Sequence, residues 1–280
     1  MTYNEAKKDA KDRLTAAGIA DAAIDSGYLL EHLTKKNRSE LFLIGNDPMP
    51  EEMWHEYVEL VEKRCNHVPF AYITGERDFF GRTFKVNENV LIPSPDTEIL
   101  ILEALKYLKP EQRILDMCTG SGCILITLLL ECKGVTGTGA DISGAALEVA
   151  KENARLYGLL ENDDWILTDL FKNISGQYDM ITANPPYIDT EVLKGLMPEV
   201  KDFEPSLALD GGKDGLVLYK PLAEGAFRHL KDGGWFLTEI GFDQGPAVAE
   251  ILRDAGFDCV EIIKDLATDD RVVKGKKNVR

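Results

Sequence analysis

The segment Asn184-Pro185-Pro186-Tyr187 has the residue types that point most specifically to chemistry. Two consecutive prolines cannot continue an inner strand, so they force the backbone out of a sheet and leave the carbonyl groups of Asn184 and Pro185 without regular partners. The Asn184 side chain adds another carbonyl acceptor, and Tyr187 supplies a flat face for packing against a planar group. The segment therefore predicts a site that holds a planar –NH₂ group.

Such a site suits the transfer of a methyl group to nitrogen. An amide nitrogen is a poor nucleophile because its lone pair is delocalised into the carbonyl group. Two acceptors that bind its two N–H groups would orient the nitrogen and stabilise the positive charge that develops on it. The reaction then depends mainly on positioning, with nitrogen and methyl carbon held about 3 Å apart. Because Asn-Pro is also a common start of an ordinary turn, the place of this segment in the fold decides between the two readings.

Strands and helices alternate beyond residue 110, which predicts a mostly parallel α/β sheet. The predicted strands cover residues 113–117, 135–142, 165–170, 178–183, 235–240, 259–264 and 271–274. The predicted helices cover residues 123–132, 143–157, 215–230 and 244–255. Asn184 directly follows the fourth strand, and the last two strands predict an antiparallel hairpin on one edge.

Ligands of such sheets bind outside the carboxyl ends of the strands. The first strand runs into a glycine-rich turn whose N–H groups can meet a carboxylate or phosphate at a helix N-terminus. Asp141 ends the second strand, nineteen residues after Gly122, where a carboxylate can accept from both ribose hydroxyls. Asp169 can accept from an adenine amine while Leu170 covers the ring, or it can simply cap a turn. The predicted cofactor-binding residues are Asp116, Cys118, Thr119, Gly120, Ser121, Gly122, Asp141, Asp169, Leu170 and Asn184.

The glycine pattern favours S-adenosylmethionine over a nicotinamide cofactor. A dinucleotide fingerprint needs a third glycine further along the helix, and Ile124-Leu125-Ile126 offers none. An acidic residue at the end of the first strand, here Asp116, is typical of methyltransferases with this sheet. A nicotinamide-dependent oxidoreductase stays open as an alternative.

The first 93 residues have a different character. Apolar residues recur at helical spacing in three stripes, from Ala6 to Ala17, from Ile24 to Leu33 and from Met53 to Arg64. Residues 79–86 and 90–92 are aromatic and β-branched, with residues 87–89 as turn material, which predicts a hairpin-like linker. Ser94 then suits the N-cap of a helix with Pro95 at its first position.

The composition limits the function. A formal net charge of −16 argues against a protein that holds nucleic acid mainly through phosphates. The five cysteines and four histidines show no metal-ligand spacing, so we expect no metal and free thiols in a reducing compartment. The sequence shows neither an apolar run of membrane-spanning length nor an N-terminal signal peptide, which leads us to expect a cytoplasmic protein.

Several motifs together resemble the HemK-like protein-(glutamine-N5) methyltransferases that modify peptide chain release factors. The resemblance extends over essentially the whole chain. Residues 69–75 and 79–81 resemble the family's linker motifs, residues 92–98 resemble its P-R-P-D-T-E motif, and residues 184–187 are its N-P-P-Y. Residues 203–209, 239–244 and 270–273 are similar to later family motifs. Two positions depart from the pattern, since Cys118 stands where the family usually has glycine and Ser94 where it has arginine.

The resemblance implies a seven-stranded Rossmann-like class I methyltransferase domain at residues 94–280, a β-hairpin linker at residues 76–93 and a small all-helical domain at residues 1–75 that docks the release factor. The substrate would be the glutamine of a Gly-Gly-Gln loop, and the product of the cofactor would be S-adenosyl-L-homocysteine. The predicted catalytic residues are Asn184, Pro185, Pro186 and Tyr187. We expect neither stable nucleic-acid binding nor membrane binding.

Two further functions compete with this one. A nucleic-acid methyltransferase acting on an exocyclic amine of adenine or guanine would use the same acceptors, with Tyr187 stacked on a flipped base. A non-catalytic adaptor that binds the cofactor would fit if Cys118 and Ser94 mark a lost activity.

Overall fold

The computed structural model describes residues 1–159 and 164–278. These residues group into two compact units, one of Met1–Gly75 with Met197–Phe203 and one of Glu76–Leu196 with Glu204–Arg280. The helices are α1 Tyr3–Ala16, α2 Ala22–Thr34, α3 Arg38–Leu43, α4 Glu51–Cys65, α5 Phe70–Thr74, α6 Glu98–Ala104, α7 Cys123–Glu131, α8 Gly144–Leu156, α9 Thr190–Leu193, α10 Pro198–Lys201, α11 Ser206–Leu209, α12 Tyr219–His229 and α13 Gly245–Asp254. The strands are β1 Glu76–Phe79, β2 Arg82–Lys85, β3 Arg113–Met117, β4 Thr136–Asp141, β5 Asp164–Leu167, β6 Tyr178–Ala183, β7 Leu230–Glu239, β8 Asp258–Lys264 and β9 Asp270–Lys276.

The first unit is helical and has its own apolar core. A capping box of Thr2 and Glu5 begins α1, whose Ala6, Ala10 and Leu14 are buried as the sequence predicts. The predicted stripe of α2 is wrong in part, because Ile24 and Tyr28 are 54% and 53% exposed. The buried face of α2 is instead centred on Leu29 and Leu30.

A buried ion-pair cluster joins the short helix α10 to this first unit. The Arg64 guanidinium donates from Nε to Asp25 Oδ2 at 2.7 Å and from Nη2 to Glu199 Oε1 at 2.9 Å. The two carboxylates raise the pKa of Arg64 against the opposing effect of burial, which is the largest single influence. Arg64 thereby connects α2, α4 and the segment 197–203, although that segment is far from α4 in the sequence.

The second unit contains the predicted α/β sheet. The strands of this sheet follow the order β5-β4-β3-β6-β7-β9-β8 in the described part of the chain, with β9 antiparallel to both of its neighbours. Because β3 pairs with both β4 and β6 in parallel, the chain changes direction across the sheet between β3 and β6. The crevice at such a switch point is where a doubly wound sheet binds its ligands. Strand β3 is buried from its second residue to its last, as expected of an inner strand covered on both faces.

The predicted hairpin is misplaced along the sequence. The two strands are β1 and β2, and the turn between them is Phe80-Gly81, both with positive φ as a tight two-residue hairpin turn requires. Residues 90–92 form no strand. Other boundaries also shift: β5 ends at Leu167, β7 begins at Leu230, and the helix predicted from residue 215 is a 3-10 turn at Lys213–Gly215 followed by α12.

Ser94 caps a helix as predicted. Its Oγ accepts from the backbone N–H of Asp96 at 3.2 Å, and Pro95 stands in the first turn of a 3-10 helix, Pro95–Thr97, that leads into α6. Among the described residues, we find no helix that is both long enough and apolar enough to cross a membrane.

The packing of α12 makes one glycine sensitive to substitution. A Cβ on Gly225 would lie 2.1 Å from the ring of Phe171, the residue after Leu170. We expect Gly225→Ala to lower the free energy of unfolding by about 1–3 kcal/mol through overpacking, although alanine favours a helix. Urea denaturation measures this. The neighbouring exposed Glu224→Ala is the control, and equal stability of the two variants would contradict the packing argument.

Candidate active site

The carboxyl ends of β3, β4 and β6 open onto a cavity of about 390 Å³. One wall is the turn after β3, a second is formed by the ends of β4 and β5, and a third includes Asn184 and Pro186. The remaining walls come from residues 89–97 and 205–218, two segments that a hydrogen bond from the Ile92 N–H to Glu204 Oε2 at 3.0 Å ties together.

The turn after β3 is a tight loop of residues with positive φ. Cys118, Gly120 and Gly122 have φ values of 59°, 54° and 78°. A left-handed conformation is strained for cysteine and free for glycine, which agrees with the glycine that the family resemblance leads us to expect at this position. Gly122 serves helix packing, because a Cβ there would lie 3.0–3.2 Å from Ile126, Ala150 and Trp165.

Asp116 lies beneath this loop and is fully buried. Its carboxylate accepts from Thr119 Oγ1 at 2.6 Å and from Thr182 Oγ1 at 2.7 Å, so it joins the loop after β3 to strand β6. Burial raises the pKa of Asp116 to about 7, and the nearby Asp141 adds to the rise. Asp116 does not line the cavity directly; it holds the residues that do.

Asp141 ends β4 at the cavity and is fixed by backbone amides. Its Oδ2 accepts from the Gly120 N–H and its Oδ1 from the Ser143 N–H, both at 2.9 Å. Burial raises its pKa, while these hydrogen bonds oppose the rise. Each carboxylate oxygen keeps acceptor capacity beyond one N–H, so Asp141 can still bind hydroxyl groups.

Asp169 and Leu170 follow β5 and also line the cavity. Asp169 is exposed and pairs with Lys172 at 2.6 Å. Leu170 has a φ of 48°, in the left-handed region, and the Thr168 hydroxyl donates to its carbonyl at 2.8 Å.

Asn184 provides an unsatisfied acceptor at the cavity wall. Its Nδ2 donates to Thr97 Oγ1 at 3.4 Å, whereas its Oδ1 is buried and has no hydrogen-bond partner in the described structure. A buried carbonyl oxygen without a partner costs about 1–3 kcal/mol. Asn184 Oδ1 is therefore a buried acceptor that the described residues leave without a donor.

The other residues of the segment differ in their relation to the cavity. Pro186 lines the cavity, whereas Pro185 is buried. The Tyr187 hydroxyl donates to Glu239 Oε1 at 3.2 Å, and the Tyr187 carbonyl accepts from Gln244 Nε2 at 2.9 Å. Burial raises the pKa of Tyr187 above its usual value and that of Glu239 to about 7.

Asn153 on α8 is a supporting residue that the sequence analysis missed. It is fully buried, and its Nδ2 donates to the Ser121 carbonyl at 2.9 Å and the Lys85 carbonyl at 3.0 Å. Its Oδ1 accepts from the Lys85 N–H at 2.7 Å. One side chain thus connects the glycine-rich loop to hairpin strand β2, and its place in an ordinary helical pattern gave no signal of this.

Comparison with known proteins identifies the family. Residues 5–75 match the PrmC N-terminal domain model, and residues 96–197 match the methyltransferase small domain model. The release factor glutamine methyltransferase of Caulobacter vibrioides is 42% identical over 99% of this chain and 97% of its own length. That of Cereibacter sphaeroides is 41% identical over 99% of both chains. The chain belongs to the release factor glutamine methyltransferase family.

Solved structures show the same fold at lower identity. A methyltransferase from Pyrococcus furiosus superposes with a TM-score of 0.55 at 19% identity, covering 72% of this chain and 91% of its own. A 16S rRNA N2 G1207 methyltransferase from T. thermophilus gives a TM-score of 0.52 at 17% identity, covering 72% of this chain and 50% of its own. The predicted fold class, a seven-stranded methyltransferase sheet with a helical N-terminal domain, is thereby confirmed, as is the predicted family.

The structure brings most predicted site residues to one cavity. Those that line it are Cys118, Thr119, Gly120, Ser121, Asp141, Asp169, Leu170, Asn184 and Pro186. Asp116, Gly122, Pro185 and Tyr187 lie behind its walls. The walls at residues 89–97 and 205–218 were not predicted as part of the site, although the family motifs at residues 92–98 and 203–209 overlap both. The roles of all these residues stay predictions.

The three hydrogen bonds of Asn153 give a prediction for this family member. Asn153→Ala removes the partner of the Lys85 N–H and of the carbonyl groups of Lys85 and Ser121, so we expect a loss of about 2–3 kcal/mol in the free energy of unfolding. We also expect weaker binding of ligands to the loosened loop. Urea denaturation measures the first effect and calorimetric titration with S-adenosylhomocysteine the second. Arg155→Ala, exposed on the same helix, is the control; a variant of Asn153 that behaves like it would refute the supporting role.

Proposed function

We propose that this chain methylates the side-chain amide nitrogen (N5) of the glutamine in the Gly-Gly-Gln loop of peptide chain release factors, with S-adenosyl-L-methionine as the methyl donor. Full-length similarity to curated release factor glutamine methyltransferases supports the substrate. The observation that carries the chemistry is the buried, unpartnered Oδ1 of Asn184 at the wall of the cavity. An acceptor in that state suits a substrate that arrives with two N–H groups on one planar nitrogen.

The residues of the cavity fit the proposed cofactor. Asp141 offers carboxylate acceptors for ribose hydroxyls, and Leu170 offers an apolar face beside the exposed carboxylate of Asp169. The backbone around Gly120 and Ser121 is open to a close approach, since a Cβ on Gly120 would meet no atom within 4 Å. Asp141 and the deeper Asp116 also make this end of the sheet favourable for a ligand with a positive charge. When bound, the cofactor supplies a methyl group made electrophilic by its sulfonium centre.

The work of the protein is to hold the glutamine amide. Asn184 Oδ1 and the Pro185 carbonyl accept from the two N–H groups and point the nitrogen lone pair along the line of attack. As the nitrogen–carbon bond forms and the carbon–sulfur bond breaks, positive charge grows on the nitrogen, and both oxygens stabilise it. The methylated nitrogen then loses a proton to water, and this restores a neutral amide.

We infer that the helical unit contributes to release factor binding. The curated relatives are matched over almost their whole length, so this unit accompanies the activity across the family. Release factors act on ribosomes, and the proposed reaction therefore takes place in the cytoplasm.

Mass spectrometry provides the direct test of the substrate. Purified release factor incubated with the enzyme and S-adenosylmethionine should gain one methyl group on the tryptic peptide that contains Gly-Gly-Gln. Ribosomal RNA and DNA, incubated in parallel, should gain none. Methylation of nucleic acid alone would replace this proposal with the exocyclic-amine reaction, and binding of the cofactor without any transfer would indicate an adaptor.

Asn184 is expected to act on turnover rather than on cofactor binding. Asn184→Ala removes the acceptor of one substrate N–H and should reduce the turnover number at least tenfold, while affinity for S-adenosylhomocysteine changes by no more than about threefold. Steady-state kinetics and calorimetric titration measure the two effects. Asn278→Ala, an exposed asparagine, is the control. Wild-type turnover in the Asn184 variant would defeat the assignment.

Asp141 is expected to show the opposite pattern. Hydrogen bonds to a charged group contribute about 1.5–3 kcal/mol, so Asp141→Ala should weaken binding of S-adenosylhomocysteine by roughly 10- to 100-fold. Calorimetric titration measures this, with the exposed Asp243→Ala as the matched control. Unchanged affinity in Asp141→Ala would show that Asp141 does not bind the ribose.

A further inference from the structure

The segment of residues 184–187 must keep its acceptors for the substrate, and this limits how the protein can hold it in place. Pro185 and Pro186 have no N–H group, so neither can donate a hydrogen bond to a neighbouring strand or loop. A carbonyl that accepted from the protein would have less capacity left for a substrate N–H. We therefore expect the segment to be fixed at its two ends rather than along its length.

The sheet fixes the first end of the segment. Ala183, the last residue of β6, pairs in parallel register with Met117 of β3 and with Thr238 of β7. Because Asn184 follows directly, an inner strand with neighbours on both sides sets the path of the chain into the segment. The residues after Pro186 lie beyond the end of β6 and need a different support.

Gln244, at the start of α13, fixes the second end. Its Nε2 donates to the Tyr187 carbonyl at 2.9 Å and to the Asp214 carbonyl at 3.4 Å. Its Oε1 accepts from the Gly241 N–H at 2.9 Å and from the Tyr219 hydroxyl at 3.3 Å. A backbone N–H can only donate and a carbonyl can only accept, so these partners determine which end of the amide faces Tyr187.

The loop that follows α11 packs closely against the same carbonyl. A Cβ on Gly215, whose φ is 68°, would lie 2.1 Å from the Tyr187 oxygen and 2.5 Å from Gln244 Nε2. The N–H of Gly211 donates to the carbonyl of Ile188 at 2.8 Å. Glycine at position 215 thus leaves the space in which the amide of Gln244 meets the Tyr187 carbonyl.

The position of Gln244 in its helix points to the same contact. It stands at the N-cap of α13, where short residues such as serine and asparagine are preferred because they accept from the N–H groups of the first turn. Among the described residues, Gln244 makes no such capping hydrogen bond with its side chain. Helix stability alone would favour a shorter residue, so the long amide is better explained by its hydrogen bond to Tyr187.

We propose that Gln244 is a positioning residue for methyl transfer. By holding the Tyr187 carbonyl, it fixes the directions in which the Pro185 carbonyl and Asn184 Oδ1 point. This inference rests on the proposed function, because it assumes that these two oxygens hold the substrate amide. The proline rings restrict φ between the two supports, so a fixed Tyr187 limits the orientations of the whole segment. Without the second support, the substrate nitrogen would be held less often in line with the methyl group.

A shorter amide at position 244 tests this role. Gln244→Asn introduces a preferred N-cap residue, so the fold should be kept, but its side chain is too short to bond to Gly241 and Tyr187 together. We expect the single-turnover rate of methyl transfer to a saturating, purified release factor to fall about tenfold or more. The affinity for S-adenosylhomocysteine should stay within about threefold, because Gln244 does not line the cavity. A rate within about threefold of wild type would overturn the proposal.

Gln244→Met provides a second measurement. It keeps the length of the side chain and removes both hydrogen-bonding ends, so we expect the same loss of rate together with a lower melting temperature. Rates are normalised to the number of S-adenosylhomocysteine sites found by calorimetric titration, so that unfolded protein is not counted as slow enzyme. A methionine variant with the wild-type rate per site would also contradict the positioning role.

Two controls separate positioning from a general loosening of the helix. Gln177→Asn makes the same change at an exposed position before β6 and should match wild type in rate and melting temperature. Leu252→Val removes buried apolar volume from α13 and should lower the melting temperature while the rate per site is kept. If Leu252→Val were as slow as Gln244→Asn, the slow rate would reflect a loosened helix, and the proposal would be lost.

Failure of this inference is distinguishable from failure of the proposed function. If wild-type enzyme transfers no methyl group to the release factor, or if Asn184→Ala keeps wild-type turnover, the proposed function or its acceptor is wrong whatever Gln244 does. If Asn184→Ala is slow while Gln244→Asn and Gln244→Met are as fast as wild type, only the positioning role is wrong.

Discussion

The rest of the site depends on the hydrogen bonds that the buried carboxylate of Asp116 accepts. It accepts from Thr119 in the loop after β3 and from Thr182 within β6. These two hydrogen bonds join the loop that shapes one cavity wall to the strand that delivers Asn184 to another. A buried carboxylate is costly unless its oxygens are bonded, so both threonines are needed for the same reason.

The order of the strands brings the other residues of the site to the same edge of the sheet. The parallel pairing of β4, β3 and β6 brings three strand ends to one edge, and each end carries a polar residue: Asp141, the Asp116 loop and Asn184. Residues far apart in the chain therefore meet without any contact between their side chains being required. Asn153 adds a second set of hydrogen bonds, which connects the same loop to hairpin strand β2.

The sequence predicts the elements of this fold better than it predicts their contacts. Alternating strands and helices, the acidic strand ends and the N-P-P-Y segment are local patterns, and the family and fold follow from them. The hairpin turn was misplaced because Phe80, a bulky residue with positive φ, carries no local sign of a turn. Ile24 and Tyr28 were assigned to a buried stripe because periodicity locates a face of a helix but does not say which edge of that face is covered.

The candidate site was predictable to the same extent. The residues directly after strands were predicted correctly to lie at the cavity, because ligands of such sheets bind at the carboxyl ends of the strands. Asn153 was not assigned a role, because its hydrogen bonds go to backbone groups that are far away in the sequence rather than to a ligand. Pro185 and Tyr187 were found as a motif, yet their side chains lie behind the wall, and their roles stay predictions.

The position of Cys118 has a consequence for the chemical safety of the cavity. A thiolate is far more nucleophilic than an amide, and one placed beside a reactive methyl group would compete with the substrate for it and alkylate the protein. Burial, with Asp141 and Asp116 nearby, raises the pKa of the Cys118 thiol well above its usual value, and burial does the same for Cys123. Both sulfurs are therefore held as neutral thiols, the unreactive form. The apolar, acidic surroundings that favour a cationic ligand thus also protect the protein from self-modification.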